Sequence, residues 1–404
     1  MSTKYPGGII SKTAPVPSGP YQNSTASGIW TLDQMEYWMG QSLWPTAGSA
    51  APNKMWAWGG NTYGQAGLGN TTQYSSPKQV GTLALWKNMA QGGAHTLAIQ
   101  STGTLWSWGA NFFGGLGLGT SSYSANPSPQ QVGALTTWSK VSGGQYASYG
   151  ITTSNGLWVW GRNNNGQLGL GNVTNYSSPK QVGALTNWAS ISGGDDFVSA
   201  IKTDGTLWAW GLNDQGQLGL GNRTAYSSPK QVGALTDWSI VSCGSTLTFA
   251  IKKDGTLWSW GSNGNGQLGL GNRTYYSSPK QVGALTVWSS VSAGRPWGFA
   301  IKTDGTIWTW GANNSGQLGT GNTTNYSSPK QVGALTNWSS ISAGSEAALA
   351  IKTTGSLWSW GKNAQGQLGL NSATYYYSSP KQVGSLTNWI SVNGGTNTSK
   401  AFSS

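Results

Sequence analysis

The chain has 404 residues, of which 62 are Gly and 25 are Trp, and its 22 basic side chains against 10 acidic ones give a formal charge of +12. One cysteine and one histidine exclude a disulfide framework and any metal cluster built on those ligands. No apolar run reaches the roughly 20 residues that a membrane-crossing helix needs.

In chain order, residues 1–53 stand apart. No apolar h-region follows the start, so neither a signal peptide nor a membrane span is expected. Pro6, Pro15, Pro17 and Pro20, with Gly7, Gly8 and Gly19, predict an extended arm. Thr31-Leu32-Asp33-Gln34 offers a capping box, and Met35, Trp38 and Met39 an apolar stripe, so a short helix is expected over about 32–41, stopped near Gly40 and Pro45. So short a helix cannot bury Trp30, Trp38 and Trp44 alone, which makes these three the candidate attachment residues.

From Lys54 onward one unit returns seven times. Its Trp-Gly step falls at Trp58, Trp108, Trp160, Trp210, Trp260, Trp310 and Trp360, a spacing of 50 residues with one interval of 52. A second series runs Trp86, Trp138, Trp188, Trp238, Trp288, Trp338 and Trp389. A period of this length signals a solenoid, a propeller or an array. Within the unit, Ala200-Ile201-Lys202 and Thr206-Leu207-Trp208-Ala209-Trp210 flank the turn Thr203-Asp204-Gly205, the signature of a β-hairpin. Two further short extended runs follow, at Gln231-Val232 and from Trp238 to Ser242. Frequent glycine and the lack of a 3.6-residue apolar period leave no room for helices. Four short strands per repeat predict propeller blades. The chain ends where a repeat would enter its hairpin turn and begins, at Lys54-Met55-Trp56, where a repeat would leave it. The two halves are therefore expected to pair and close an all-β, seven-bladed ring over 54–404, beside an attachment segment over 1–53.

Two frame positions carry lysine: Lys78, Lys180, Lys230, Lys280, Lys330 and Lys381, with Gln130 as the exception, and Lys202, Lys252, Lys302 and Lys352. In a ring these form two cationic hoops, which an anionic partner could meet or which could simply solubilise the surface. No basic run with interleaved aromatics supports sequence-specific nucleic-acid reading. Cys243 stands where other repeats carry Gly143, Gly193 or Ala293 and reads as a small packed side chain.

The motif Gly-Thr-Leu-Trp-x-Trp-Gly-x-Asn-x-x-Gly-Gln-Leu-Gly, with Ser-x-Gly ahead of an Ala-Ile pair, resembles the repeat of the regulator of chromosome condensation family over roughly 53–404. The resemblance implies a seven-bladed β-propeller. It implies much less about function, since that fold serves exchange factors for a small GTPase, chromatin binders and a bacterial β-lactamase inhibitor. The family usually carries a His three residues after the Gly of Ser-x-Gly. Here only His95 fits, with Ala147, Phe197, Leu247, Trp297, Ala347 and Thr398 in its place elsewhere, which argues against exchange-factor activity. Separately, Gly28 to Gln34 with Tyr37-Trp38 and Trp44-Pro45 resembles a short tag at the ends of structural proteins of marine bacteriophages, which implies attachment to a virion structural protein.

The copies are nearly identical except in the four residues after that Gly, for example Asp195-Asp196-Phe197-Val198 against Arg295-Pro296-Trp297-Gly298. Divergence confined to one window predicts a recognition rim at one mouth of the central channel, with His95, Tyr146, Asp195, Asp196, Phe197, Arg295, Trp297, Glu346 and Asn397 as candidate binding residues. No catalytic set emerges. One His supports no triad with a second supporting His, Gly216 to Gly221 lacks the Lys of a phosphate loop, and Asp195 and Asp196 should point to opposite faces of a strand. Neither a cofactor nor a metal is expected. The reading is a non-enzymatic binding protein, a virion-associated propeller whose rim meets a protein or a cell-surface glycan. Its alternative is a regulatory or inhibitory propeller, in the bacterial cytoplasm or secreted, that docks on a GTPase or other enzyme.

Overall fold

Alternating apolar residues and an Asp-Gly turn make Phe197–Lys202 and Leu207–Gly211 a hairpin, with Trp188–Gly193 and Tyr226–Gln231 on its two sides. The computed structural model describes residues 53–82 and 85–404, together with the backbone of one strand pair, Lys4–Tyr5 with Gly8–Ile9. The helix expected over 32–41 and the attachment residues Trp30, Trp38 and Trp44 lie outside the described residues. Two compact units divide the chain, Met1–Pro52 and Asn53–Ser404.

The second unit is seven four-stranded antiparallel sheets, the blades of a propeller. Six are consecutive in sequence. The seventh takes Trp389–Gly394 and Thr398–Ser403 from the C-terminus and Lys54–Gly59 and Tyr74–Gln79 from the start of the unit. Lys54–Gly59 pairs with the C-terminal strand over six residues, Lys54 opposite Ser403 and Gly59 opposite Thr398, which is the closure that the split hairpin predicts. No sheet edge is left at the join.

The three tryptophans of each repeat have distinct duties. The one before Gly is fully buried, and its indole N–H donates to a main-chain carbonyl of the preceding blade: Trp210 to Gln167 at 3.0 Å, Trp260 to Gln217 at 2.9 Å, Trp310 to Gln267 at 3.0 Å. In six of the seven blades the tryptophan that opens the innermost strand packs edge-on against both tryptophans of its own blade, as Trp188 does against Trp208 (6.3 Å) and Trp210 (5.7 Å), while Trp86 lies tilted on Trp108. Glycine completes the stitch between blades. A Cβ on Gly219, whose φ is +74°, would lie 2.7 Å from Trp260 Nε1.

One lysine hoop is corrected by this packing. Lys202, Lys302 and Lys352 each lay their ammonium over two indoles, at 3.8 and 4.9 Å for Lys202, and burial pulls all three below the ordinary lysine pKa. Lys252 sits the same way and pairs with Asp237 at 3.4 Å. Each such contact stabilises by about 0.5–2 kcal/mol, so these lysines are clasped within the blade and form no open cationic ring. The other hoop, Lys78 to Lys381, is exposed, each ammonium 5.4–5.8 Å from the tyrosine ring of its own strand.

Candidate functional site

The loops between the two innermost strands of each blade converge at one end of the channel, and the variable windows occupy them. Their four positions face four different surroundings, because alternate strand residues point to opposite sides and both sides of a blade are covered by neighbours.

The first position rings the mouth. Gly93, Asp195, Arg295, Ser345 and Thr396 line a cavity of about 120 Å³ whose walls are otherwise mainly glycine main chain. Arg295 reaches across this mouth from the fifth blade and donates to Gln145 Oε1 and to the Asp195 carboxylate. Burial raises the Asp195 pKa while the Arg295 guanidinium opposes the rise. Around the ring, the main-chain N–H of Gln145 donates to Asp195 O at 3.1 Å and that of Ser345 to Gly395 O at 3.2 Å.

The second position looks outward, half-buried, onto the loops that follow the third strands. Asp196 pairs with Arg162 at 3.3 Å and accepts from Gln167 Nε2 at 2.9 Å, and burial raises its pKa against the pull of Arg162. Asp195 and Asp196 thus meet different partners and share no site. Glu346 pairs with Lys362, whose pKa that hydrogen bond raises. Asn397 accepts from the N–H of Gly60 through its main-chain carbonyl at 2.8 Å. Tyr146 stands 5.7 Å from the rings of both Phe112 and Phe113.

The third and fourth positions overturn part of the expected rim. His95, Phe197 and Trp297 are at most 3 % exposed and wedge between blades. Phe197 packs with Cys243, Ala250 and Trp260, and Trp297 with Ala343, Ala348 and Trp360. The Trp297 indole donates to Ser345 O at 3.0 Å. His95 Nε2 lies 2.8 Å from Ser148 Oγ, which itself donates to Gly115 O, so the imidazole donates there; burial first, and then Lys400, lower its pKa to about 4, which keeps the ring neutral at pH 7. Fourth-position hydroxyls join the stitch, Thr96 to Gln65 O and Thr248 to Gln217 O, both at 2.9 Å. Sequence variation here is exchange of volume between packed blades, so Ala147 sits with Tyr149 where Phe197 sits with Ser199.

Sequence reasoning passed over an aromatic cluster beside Tyr146. Tyr63, Phe112 and Tyr123 stack edge-on or tilted at 5.1–5.2 Å, and Arg162 lies over Phe113 and Tyr146 at 5.6 and 5.9 Å. The signal was present: Phe112-Phe113 stand where the next repeats read Asn164-Asn165 and Asp214-Gln215, and the 52-residue interval falls here. Among the described residues no three His, Cys, Asp or Glu side chains gather as a metal site, and no helix is long and apolar enough to cross a membrane. Cys243 is free and buried, and burial raises its pKa.

Similar folds recur among solved proteins. Human WBSCR16 matches at a TM-score of 0.78 and 21 % identity, covering 87 % of this chain and 98 % of that one. Prp20p from Saccharomyces cerevisiae matches at 0.78 and 21 %, over 88 % and 92 %, and yeast RCC1 (Prp20) bound to Kap60 at 0.79 and 22 %, over 88 % and 89 %. No curated protein sequence matches. The model of the RCC1-like domain matches residues 46–294, and that of the regulator of chromosome condensation (RCC1) repeat matches residues 304–351 and 354–401. With the seven-bladed ring and its split closing blade, these matches show that the chain belongs to the RCC1-like repeat family.

Proposed function

We propose that the chain is a non-enzymatic binding propeller that docks on a protein partner through its channel-mouth face and regulates it. The observation that carries the reading concerns the first two window positions: they are the parts of the window left accessible, they differ from blade to blade, and they bring Asp195 and Arg295 to the opening itself, with Asp196 and Glu346 one residue further out. Charged groups arranged in this way select a partner and steer its approach more than they add raw affinity. In the same family, Prp20p is described with binding properties to Gsp1p and histones, and yeast RCC1 with Kap60 bound; a protein ligand for this face is consistent with both. Nucleotide exchange is not part of the proposal, because the one His that fits the family position is buried and hydrogen-bonded.

Photo-crosslinkers at Ser345 and Glu346, set beside one at Leu235 on the opposite face, test this. A protein captured from the mouth and lost in Asp196→Arg supports the reading; capture from the Leu235 face alone, or from neither, overturns it. A second reading, attachment to a virion, is favoured by the tag-like residues 28–45. Its test is mass spectrometry of purified particles, with the chain absent from them as the refuting result.

A further inference from the structure

One third-strand loop departs from its six sisters. In those, a Gln side chain braces the loop by accepting the main-chain N–H two residues upstream, at 2.8–2.9 Å, as Gln167 does for Asn165 and Gln65 for Tyr63. In the first full blade Gly115 replaces the Gln, and the loop reorganises into a 3₁₀ turn, Phe112–Gly114, with Phe113 at φ 56°, ψ 16°. A bulky non-glycine residue held there is strained. The same blade has an outer strand of ten residues, Ser122–Gln131, where the next blades have six, and the extension places Tyr123 beside Phe112 with 82 % of its surface exposed. A brace is given up, strain is accepted, Phe112 and Phe113 are left half-buried and Tyr123 is turned outward. Phe112 and Phe113 regain part of this by stacking on Tyr63, Tyr123 and Tyr146, whereas the ring of Tyr123, being so exposed, adds little to folding.

The rings border a groove of about 260 Å³ lined otherwise by Ser121, Ser122, Asn175 and Ser177. Its lining holds no charged side chain. Asn175 Oδ1 accepts from Asn163 N–H, which leaves the amide hydrogens of Asn175 available. An aromatic face carries negative charge density that attracts polarised C–H bonds, and hydroxyl and amide groups at the margin match a ligand rich in O–H. Apolar faces edged with hydroxyls, without net charge, are the property of a pyranose ring. A single-stranded nucleic acid would need cationic side chains along the groove, and the nearest guanidinium, Arg162, is engaged with Asp196.

We propose that the groove bordered by Phe112, Phe113 and Tyr123 is a binding site for a neutral sugar, adjoining the channel-mouth surface at Tyr146 but sharing no lining residue with the mouth itself. The full chain is applied to an array of neutral, sialylated and sulfated glycans and of proline-rich peptides, at low and high salt, and the strongest neutral oligosaccharide is then titrated calorimetrically. Two variants accompany it. Tyr123→Ala removes an exposed ring, and the double change Phe113→Asn with Gly115→Gln restores the residues that Asn165 and Gln167 supply in the next loop, so it should melt no lower than the parent. The expected result is salt-insensitive binding of a neutral glycan, weakened at least tenfold in both variants and unchanged in Arg295→Ala. Four results overturn the proposal: no neutral glycan bound, binding of acidic glycans alone, affinity undiminished in the two groove variants, or proline-rich peptides bound in place of glycans.

Discussion

Replacing Lys400 by methionine should stabilise the propeller, and the gain should fade as pH rises. Lys400 is fully buried on the strand Thr398–Ser403, at the position that Leu97, Phe249, Phe299 and Leu349 fill in other blades. Its ammonium donates one hydrogen bond, to Gln91 Oε1 at 3.0 Å, and among the described residues it has no carboxylate within ion-pair distance. Burial holds its pKa well below the ordinary lysine value. The unfolded chain, with a lysine pKa of about 10.4, therefore binds more protons than the folded one, and stability rises with pH until the unfolded amine is also neutral. Exchanging a buried ionisable group for an apolar one of similar volume gains about 1–4 kcal/mol, and the lost hydrogen bond takes back about 1. A net gain of up to about 3 kcal/mol at pH 7 raises the midpoint of a chain this long by up to about 4 °C. Thermal unfolding followed by tryptophan fluorescence at pH 7 and pH 10 reads it. A variant that melts at or below the parent at pH 7, or whose advantage is the same at both pH values, refutes the reasoning.

Two further outcomes follow from the packing. The His95 pKa of about 4, set against an ordinary 6.5, means that its neutral form contributes stability above pH 6.5 that is lost as pH falls towards 4, about 3 kcal/mol at 1.36 kcal/mol per pH unit. Urea midpoints for His95→Phe, which introduces the side chain that Phe197 supplies two blades on, should fall less steeply than those of the parent between pH 7 and pH 4, and equal slopes would contradict this. Gly219→Ala should cost about 2–4 kcal/mol because its Cβ would press on Trp260 Nε1, whereas Gly233→Ala, at φ +64° with nothing within 4 Å, should cost about 1 kcal/mol. Similar losses in the two would show that the contact between blades carries no weight.

The ring was legible because its period, its Asp-Gly turns and its split hairpin are local facts that repeat, and each copy confirms the others. The site was legible only in part. Variation among copies marked the loop that forms the channel mouth, yet it could not separate Asp195, which faces the channel, from Phe197, two residues on, which faces the next blade. That distinction needs the second neighbour that a propeller supplies and an isolated sheet lacks. The lysines were misjudged for a related reason. Lys202 reads as a surface residue in a strand ending at a turn, and only the stacking of Trp188 and Trp208 in three dimensions makes it part of the core. Phe112 and Phe113 were visible as oddities of one repeat. Their meaning depended on the Gln brace, which no residue count reveals.

The shared blade also determines how the ring responds to force. The strands that close it leave from the same end of their sheet, since Lys54 lies opposite Ser403. Pulled apart at those two ends, the pair would open like a zip, one residue couple at a time, at low tension. A pull through Lys54 along its strand, with the C-terminus free, would instead load all six couples together, and with them the neighbouring strand Tyr74–Gln79. The same joint is thus weak in one direction and strong in the other, so a tether entering at the N-terminal side can bear tension without opening the ring.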